Sequence, residues 1–117
     1  TSTTIYGVTT YLTPGTTAAT VLLSNAASSG TVMKINQIVA SNVTGSAAVN
    51  VTVAINNLAA GAGTAFPVAS IVSVPQAASL IVVDKTTAIY LMENSSITVT
   101  SGTSSGITYS ISYELIA

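Results

Sequence analysis

The sequence predicts an all-β fold, a single antiparallel β-sandwich or barrel of about nine strands, on three observations. Apolar side chains alternate with polar ones along several segments, which is the period of a half-buried strand. Turn-forming residues separate these segments at intervals of about 8 to 15 residues, as in sandwiches and barrels. Helical periodicity is weak, because the one Ala-rich stretch, 57–65, is broken by Gly61 and Gly63.

The clearest strand lies near the end of the sequence, where apolar residues from Ile107 to Leu115 alternate with Ser, Thr and Glu. The segments 49–55 and 97–99 show the same alternation on Val and Ile. Gly, Pro, Asn, Asp and Ser cluster between the apolar segments, which places turns there. Six further segments with weaker patterns complete the predicted strands: 5–12, 20–24, 32–42, 68–74, 79–83 and 88–92.

One predicted strand contains a break in its alternation. Met33 and Ile35 share one phase, whereas Ile38 and Ala40 follow in the opposite phase after residues 36–37. An inserted residue in a bulged strand produces such a change. The sequence therefore predicts a bulge at this point, and a strand bent in this way is a candidate to pass from one sheet to the other.

Apolar and aromatic residues outside the clear strands mark a candidate interface. The run 80–83 has no polar alternation, which predicts cover on both faces, by the core on one side and by a loop or another subunit on the other. Three tyrosines lie in segments that alternate poorly, and Tyr is enriched in binding surfaces. We therefore expect an interface that includes Tyr6, Tyr11, Leu80, Ile81 and Tyr90.

Charged residues make up 4% of the chain, with two lysines, no arginine, three carboxylates and no His or Cys. Phosphate recognition needs clustered basic side chains, so the composition argues against partners such as nucleic acid and anionic membrane surfaces. Thiolate and imidazole chemistry are excluded, and Asp84, Glu93 and Glu114 come from three separate segments. We therefore expect no enzymatic activity, no catalytic residue, no cofactor and no metal site.

The domain organisation is simple. A length of 117 residues suits one domain, and we expect a single β-sandwich over 1–117. Within it, 1–12 is expected as an N-terminal arm or edge strand, with 1–11 laid on a partner. The longest uncharged stretch, 51–83, is interrupted by Asn, Gly and Pro, so no transmembrane helix is expected.

Two parts of the sequence carry a family resemblance. Residues 32–55 read as a strand, a Ser-Asn turn and a Val-rich strand. Pro75, the segments 80–84, 89–91 and 93–99, and a closing Ile-Ser-Tyr-Glu at 111–114 follow. In these features residues 30–116 resemble small virion structural proteins of tailed bacteriophages. The resemblance implies a β-sandwich of jelly-roll type that decorates a capsid or builds part of a tail or fibre, and it implies no catalytic residues.

The scarcity of charge agrees with such a role, because a chain with a net charge of −1 has little electrostatic repulsion between copies. We expect a non-enzymatic capsid decoration or cement protein on the virion surface. It would form a homo-oligomer, a homotrimer in the expected form, and bind the major capsid protein or other virion proteins. Two alternatives stay open: a tail, collar or fibre subunit involved in host attachment, and a secreted carbohydrate-binding or pilus-like module.

Overall fold

The computed structural model describes residues 4–87 and 89–117 and confirms the all-β prediction, with nine strands in two antiparallel sheets. Two single-turn 3₁₀ helices, Ala59–Gly61 and Lys85–Thr87, lie in the connections β4–β5 and β6–β7. The strands are β1 (Ile5–Leu12), β2 (Thr20–Asn25), β3 (Val32–Asn42), β4 (Val49–Asn56), β5 (Ala65–Val74), β6 (Ser79–Val83), β7 (Ile89–Leu91), β8 (Ser95–Ser101) and β9 (Ile107–Ile116).

The strands pair as one long antiparallel ribbon that folds at the β4–β5 connection. β4 pairs with β5, β3 with both β6 and β7, β2 with β8, and β1 with β9. The folded ribbon gives a five-stranded sheet in the order β1-β9-β3-β6, with β7 also on β3, and a four-stranded sheet in the order β2-β8-β4-β5. This is a jelly-roll sandwich in which the strand opposite β3 is divided into two pieces.

The core lies between the two sheets and is built from the inward positions of both. These positions carry Val and Ile, as the period-two pattern predicts. Tyr109 is fully buried, and its hydroxyl donates to the Thr100 carbonyl at 3.2 Å and lies 2.9 Å from Ser101 Oγ. The other fully buried large apolar side chains are those of Ile35, Ile38, Val51, Val53, Val74, Leu91, Ile97, Val99, Ile107 and Ile111.

The bulge predicted in β3 is confirmed. The register of β3 against β9 shifts between Ile35 and Gln37, so Asn36 is the inserted residue. The strand does not pass into the other sheet, because it pairs with β9 from Val32 to Asn42, and that expectation is wrong. The bulge is absorbed by a local shift of register rather than by a change of sheet.

The N-terminal segment is an edge strand over the residues of β1, which pairs with β9 along its whole length. Residues 1–3 of the predicted arm lie outside the described residues. β5 begins at Ala65, three residues earlier than the predicted strand, and Ala88 of the predicted 88–92 strand also lies outside the described residues.

Three successive strands end on a buried asparagine. Asn25, Asn42 and Asn56 are the last residues of β2, β3 and β4. The Asn42 amide donates to the carbonyls of Ala47 and Val74, both at 2.9 Å, and so joins β3 to the end of β5 in the other sheet. A carboxamide offers donors and an acceptor without a charge, which suits a chain that fixes its loops with few ions.

Candidate functional site

The two sheets differ in their charged side chains. Lys34 and Glu114 lie on β3 and β9, and Asp84 and Lys85 lie in the β6–β7 connection, so four of the five charged residues lie in the strands of the five-stranded sheet or in the connection between two of them. Glu93 lies between β7 and β8, and the four-stranded sheet has no charged residue in any strand. The fold therefore places most charged side chains on the side of the five-stranded sheet and leaves the strands of the four-stranded sheet uncharged.

Cross-strand rows organise the outer face of the five-stranded sheet. Lys34 stands between Glu114 on one side and Tyr90 on the other. In the next row the hydroxyls of Thr9 and Ser112 lie 3.0 Å apart, and further along the sheet further hydroxyl pairs join neighbouring strands. This face therefore carries rows of hydroxyl groups, with charges of both signs at one end of it.

Three of the five predicted interface residues lie on this outer face. Tyr11 and Ile81 stand at the two ends of one row, which passes through Ser110 and Val39. Ile81 is 59% exposed, so no described residue provides the cover that the sequence predicts for it. Tyr90 is 58% exposed and lies on the same face, two rows away.

The other two predicted interface residues do not join this surface. Leu80 is half-buried and packs against the core, because it precedes Ile81 and so points to the opposite face of the sheet. Tyr6 is exposed, but it lies on the face of β1 opposite to that of Tyr11. The structure therefore places the predicted residues on two faces rather than on one.

A cleft lined by polar residues opens on the outer face at the β3 bulge. β6 ends opposite Ile38 and β7 begins opposite Ile35, so the sheet has a gap beside Asn36. The cleft has a volume of about 350 Å³ and is lined by Asn36, Gln37, Asp84, Lys85 and Ser112. Sequence reasoning predicted the bulge but not the cleft, because the gap depends on how β6 and β7 share β3.

The Asp84 carboxylate at the cleft is held through one of its oxygens. Oδ1 accepts from the Thr86 hydroxyl at 2.6 Å, from the Thr86 amide at 2.9 Å and from the Thr87 amide at 3.3 Å. These bonds, with that of the Thr86 hydroxyl as the largest contribution, hold the pKa of Asp84 below its ordinary value. The side chain is therefore a fixed, ionised acceptor.

The inserted residue, Asn36, forms another wall of the cleft. Its amide donates to Glu114 Oε1 at 3.3 Å, which leaves its carbonyl oxygen as the free end of the group. That oxygen is buried and accepts no hydrogen bond from the residues that the structure describes. Buried polar atoms without a partner are rare in folded proteins, and this one has almost no accessible surface, so it lies behind the wall of the cleft rather than facing it.

The most exposed apolar segment of the four-stranded sheet is its edge strand, β5. Phe66, Val68 and Ile71 are exposed large side chains, and Pro67 lies between the first two. Phe66 and Pro67 lie outside the predicted strand, which begins at residue 68, so this apolar surface was not predicted. The signal was present in the run of residues 65–69, which contains no polar side chain.

Ile71 is the most unusual residue of β5. Its φ is +50°, in the left-handed region, and its side chain is 70% exposed. The pairing of β4 with β5 is irregular here, and the Ile71 amide donates to Thr52 Oγ1 at 2.9 Å instead of to a ladder carbonyl. A β-branched residue in this conformation is a genuine outlier.

The outer face of the four-stranded sheet is partly covered by the β4–β5 connection. The Ser96 hydroxyl donates to the Leu58 carbonyl at 2.8 Å and accepts from the Gly61 amide at 2.9 Å. A Cβ on Gly61 would lie 3.0 Å from a methyl of Val21, so the backbone approaches β2 closely. The chain therefore covers part of this face itself and leaves the β5 edge open.

The described residues, 4–87 and 89–117, include no group of three acidic side chains placed to hold a metal ion. Within the same residues no helix is long and apolar enough to cross a membrane. Comparison of the chain with family models, with curated proteins and with solved structures finds no match.

Proposed function

We propose that this chain is a structural subunit that assembles with copies of itself through β5, and that the assembly is a capsid decoration protein of a virus particle. The observation that supports self-assembly is the conformation of Ile71. Its backbone strain costs about 1–3 kcal/mol, and its side chain leaves most of its apolar area in water. Such strain persists where a function requires it, and cover by another molecule would recover the cost of exposure.

The absence of charge on the four-stranded sheet favours a second copy as the occupant. Two copies can meet there without like-charge repulsion and without stranding an ion, because none of its strands carries one. Interfaces are depleted of charged residues at their centres and enriched in aromatic side chains, of which β5 has one, Phe66. The composition of this surface therefore fits an interface core.

Packing of side chains suits this edge better than addition of a continuous strand. Pro67 has no amide hydrogen to offer a new partner, and the irregularity at Ile71 interrupts the line of the edge. Both features protect an edge against uncontrolled strand pairing. We therefore propose a contact between the apolar side chains of β5 and those of a neighbouring copy.

The virion setting is the finer part of the proposal and depends on the resemblance of residues 30–116 to phage virion proteins. Jelly-roll sandwiches also occur as capsid domains, which is an argument from fold analogy. In this setting the partner outside the oligomer is the major capsid protein. The expected oligomer is a homotrimer, exposed on the capsid surface.

Sedimentation equilibrium tests the assembly. We expect a mass three times that of the 11.6 kDa chain, and the same mass between about 0.05 M and about 1 M NaCl, because salt screens charges and not apolar contacts. A monomer at all concentrations would contradict self-assembly. Co-sedimentation with expanded capsids of the source virus tests the finer proposal, and an intact oligomer that fails to bind them would reject the capsid role alone.

A further inference from the structure

We infer that the cleft at the β3 bulge is a binding site for a neutral sugar unit. The inference is independent of the proposed assembly, since the cleft lies on the outer face of the five-stranded sheet and β5 belongs to the other sheet. It is carried by the exposed polar groups of Gln37, Asp84 and Lys85, which line one cavity.

The free donors and acceptors of the cleft match those of hydroxyl groups. All the hydrogen bonds that Asp84 accepts within the described chain through its carboxylate use Oδ1, which leaves Oδ2 as an acceptor. The side-chain amide of Gln37 and the ammonium of Lys85 belong to exposed residues that line the cleft, and both groups are hydrogen-bond donors. A sugar hydroxyl both donates and accepts, so adjacent hydroxyls can bridge these groups.

The charge of the cleft selects against ions. Asp84 and Lys85 both line it, so their charges cancel. The next pair along the face, Lys34 and Glu114, stand opposite each other on β3 and β9 and cancel as well. A phosphate or a carboxylate would meet one lysine together with a carboxylate, whereas a neutral ligand gains hydrogen bonds from both without a net repulsion.

The walls of the cleft are held before any ligand arrives. The 3₁₀ turn Lys85–Thr87 is fixed to Asp84 through its Thr side chains and amides, and Asn36 is fixed by the bulge and by Glu114. A preorganised site loses little conformational entropy on binding. The volume of about 350 Å³ lies at the lower end of the range of small-molecule sites, which suits one or two sugar rings.

Titration of the full chain with neutral monosaccharides, observed by backbone amide NMR, tests this inference. The probes are glucose, galactose, mannose and N-acetylglucosamine, with inorganic phosphate as the charged comparison. We expect saturable shifts of the amides of Gln37 and Thr86 with at least one sugar, and none with phosphate. Lys85→Ala should weaken binding about tenfold, the effect of one charged hydrogen bond.

Lys34→Ala is the matched control, because Lys34 lies on the same face but does not line the cleft. We expect it to change the affinity less than about twofold. Gln37→Ala, an exposed wall residue, provides a second variant that should also weaken binding. The inference is overturned if no sugar gives saturable shifts at the cleft, if phosphate alone binds, or if the two lysine variants lose affinity equally.

Discussion

The five-stranded and four-stranded sheets enclose one core but present different surfaces. The first has two charged residues in its strands and two in the β6–β7 connection, together with a cleft lined by polar residues and the exposed side chains of Tyr11, Ile81 and Tyr90, whereas the second has no charged residue in its strands. The second also leaves its apolar edge, β5, in contact with water. A chain with very few charged residues can therefore still divide its surface into a part suited to polar ligands and a part suited to protein contacts.

The jelly-roll topology produces this division from charges that are scattered in the sequence. Lys34, Asp84 and Glu114 are far apart along the chain, but β3, β6, β7 and β9 are neighbours in one sheet. The ribbon sends alternate strands to the two sheets near its ends. Charges that fall on one set of strands are therefore collected on one side of the molecule.

The substitution that we expect to reduce stability most removes a hydrogen-bonded link between the two sheets. Asn42→Ala removes the amide that donates to the Ala47 and Val74 carbonyls and the oxygen that accepts from the Thr44 amide and hydroxyl. We expect a loss of about 3 kcal/mol in the free energy of unfolding, because buried groups are left without partners. Urea denaturation measures the loss.

Asn50→Ala is the matched control for this substitution, because Asn50 is exposed on β4. Surface substitutions away from special features change stability by about 0.5 kcal/mol or less. Equal effects of the two variants would show that Asn42 does not hold the sheets together.

The next largest effect tests which sheet forms the interface. Phe66→Asp places a charge on the β5 edge, and Ile81→Asp places one on the outer face of the five-stranded sheet. The side chains of Phe66 and Ile81 are similarly exposed, so the two substitutions are comparable. We expect Phe66→Asp to weaken self-association about thirtyfold, or about 2 kcal/mol, because a charge is desolvated at the contact. Ile81→Asp should leave it unchanged. The reverse result, by sedimentation, would move the interface to the five-stranded sheet.

A smaller effect is expected at high pH, where Tyr109 on β9 should lose its contribution to the stability of the fold. Burial raises the pKa of the Tyr109 hydroxyl, with a smaller opposing contribution from Ser101. The stability due to Tyr109 is therefore complete below its unfolded pKa of about 10 and is lost as the pH rises toward the folded value. Tyr109→Phe should cost about 1 kcal/mol at neutral pH, and its disadvantage should shrink above pH 10. A disadvantage that stays constant in thermal melts over this range would contradict the prediction.

The smallest effect concerns acid and the cleft. The pKa of Asp84 is lowered in the folded state, so its contribution to stability is present above the unfolded value of about 3.9 and is lost as the pH falls through the folded value. The Asp84→Asn variant should have a lower melting temperature than the wild type at pH 6, and the two melting temperatures should converge as the pH falls below the folded pKa of Asp84. Parallel melting curves at every pH would show that the bonds to Thr86 and Thr87 do not stabilise the ionised carboxylate.

The sequence predicts the sheets better than the surfaces. Period-two alternation found the strands and the bulge in β3, because each strand has one face in the core. It placed the start of β5 three residues late, since the beginning of this edge strand, with Phe66 in water, lacks that alternation. The cleft depends on residues 36, 84 and 112, which meet only through pairing of distant strands. Local pattern carries no information about which loops come together.

The most direct test of the β5 interface is Ile71→Gly, with Ala60→Gly as its control. Both residues have positive φ, +50° and +58°, so glycine should relieve backbone strain at each position. Sedimentation and thermal melts of both variants, beside the wild type, give association and stability together. We predict that the monomer of neither variant has a lower melting temperature than the wild-type monomer. We also predict that Ile71→Gly loses self-association and that Ala60→Gly keeps it. Association that survives Ile71→Gly unchanged would contradict the claim that this strained side chain is kept for contact between copies.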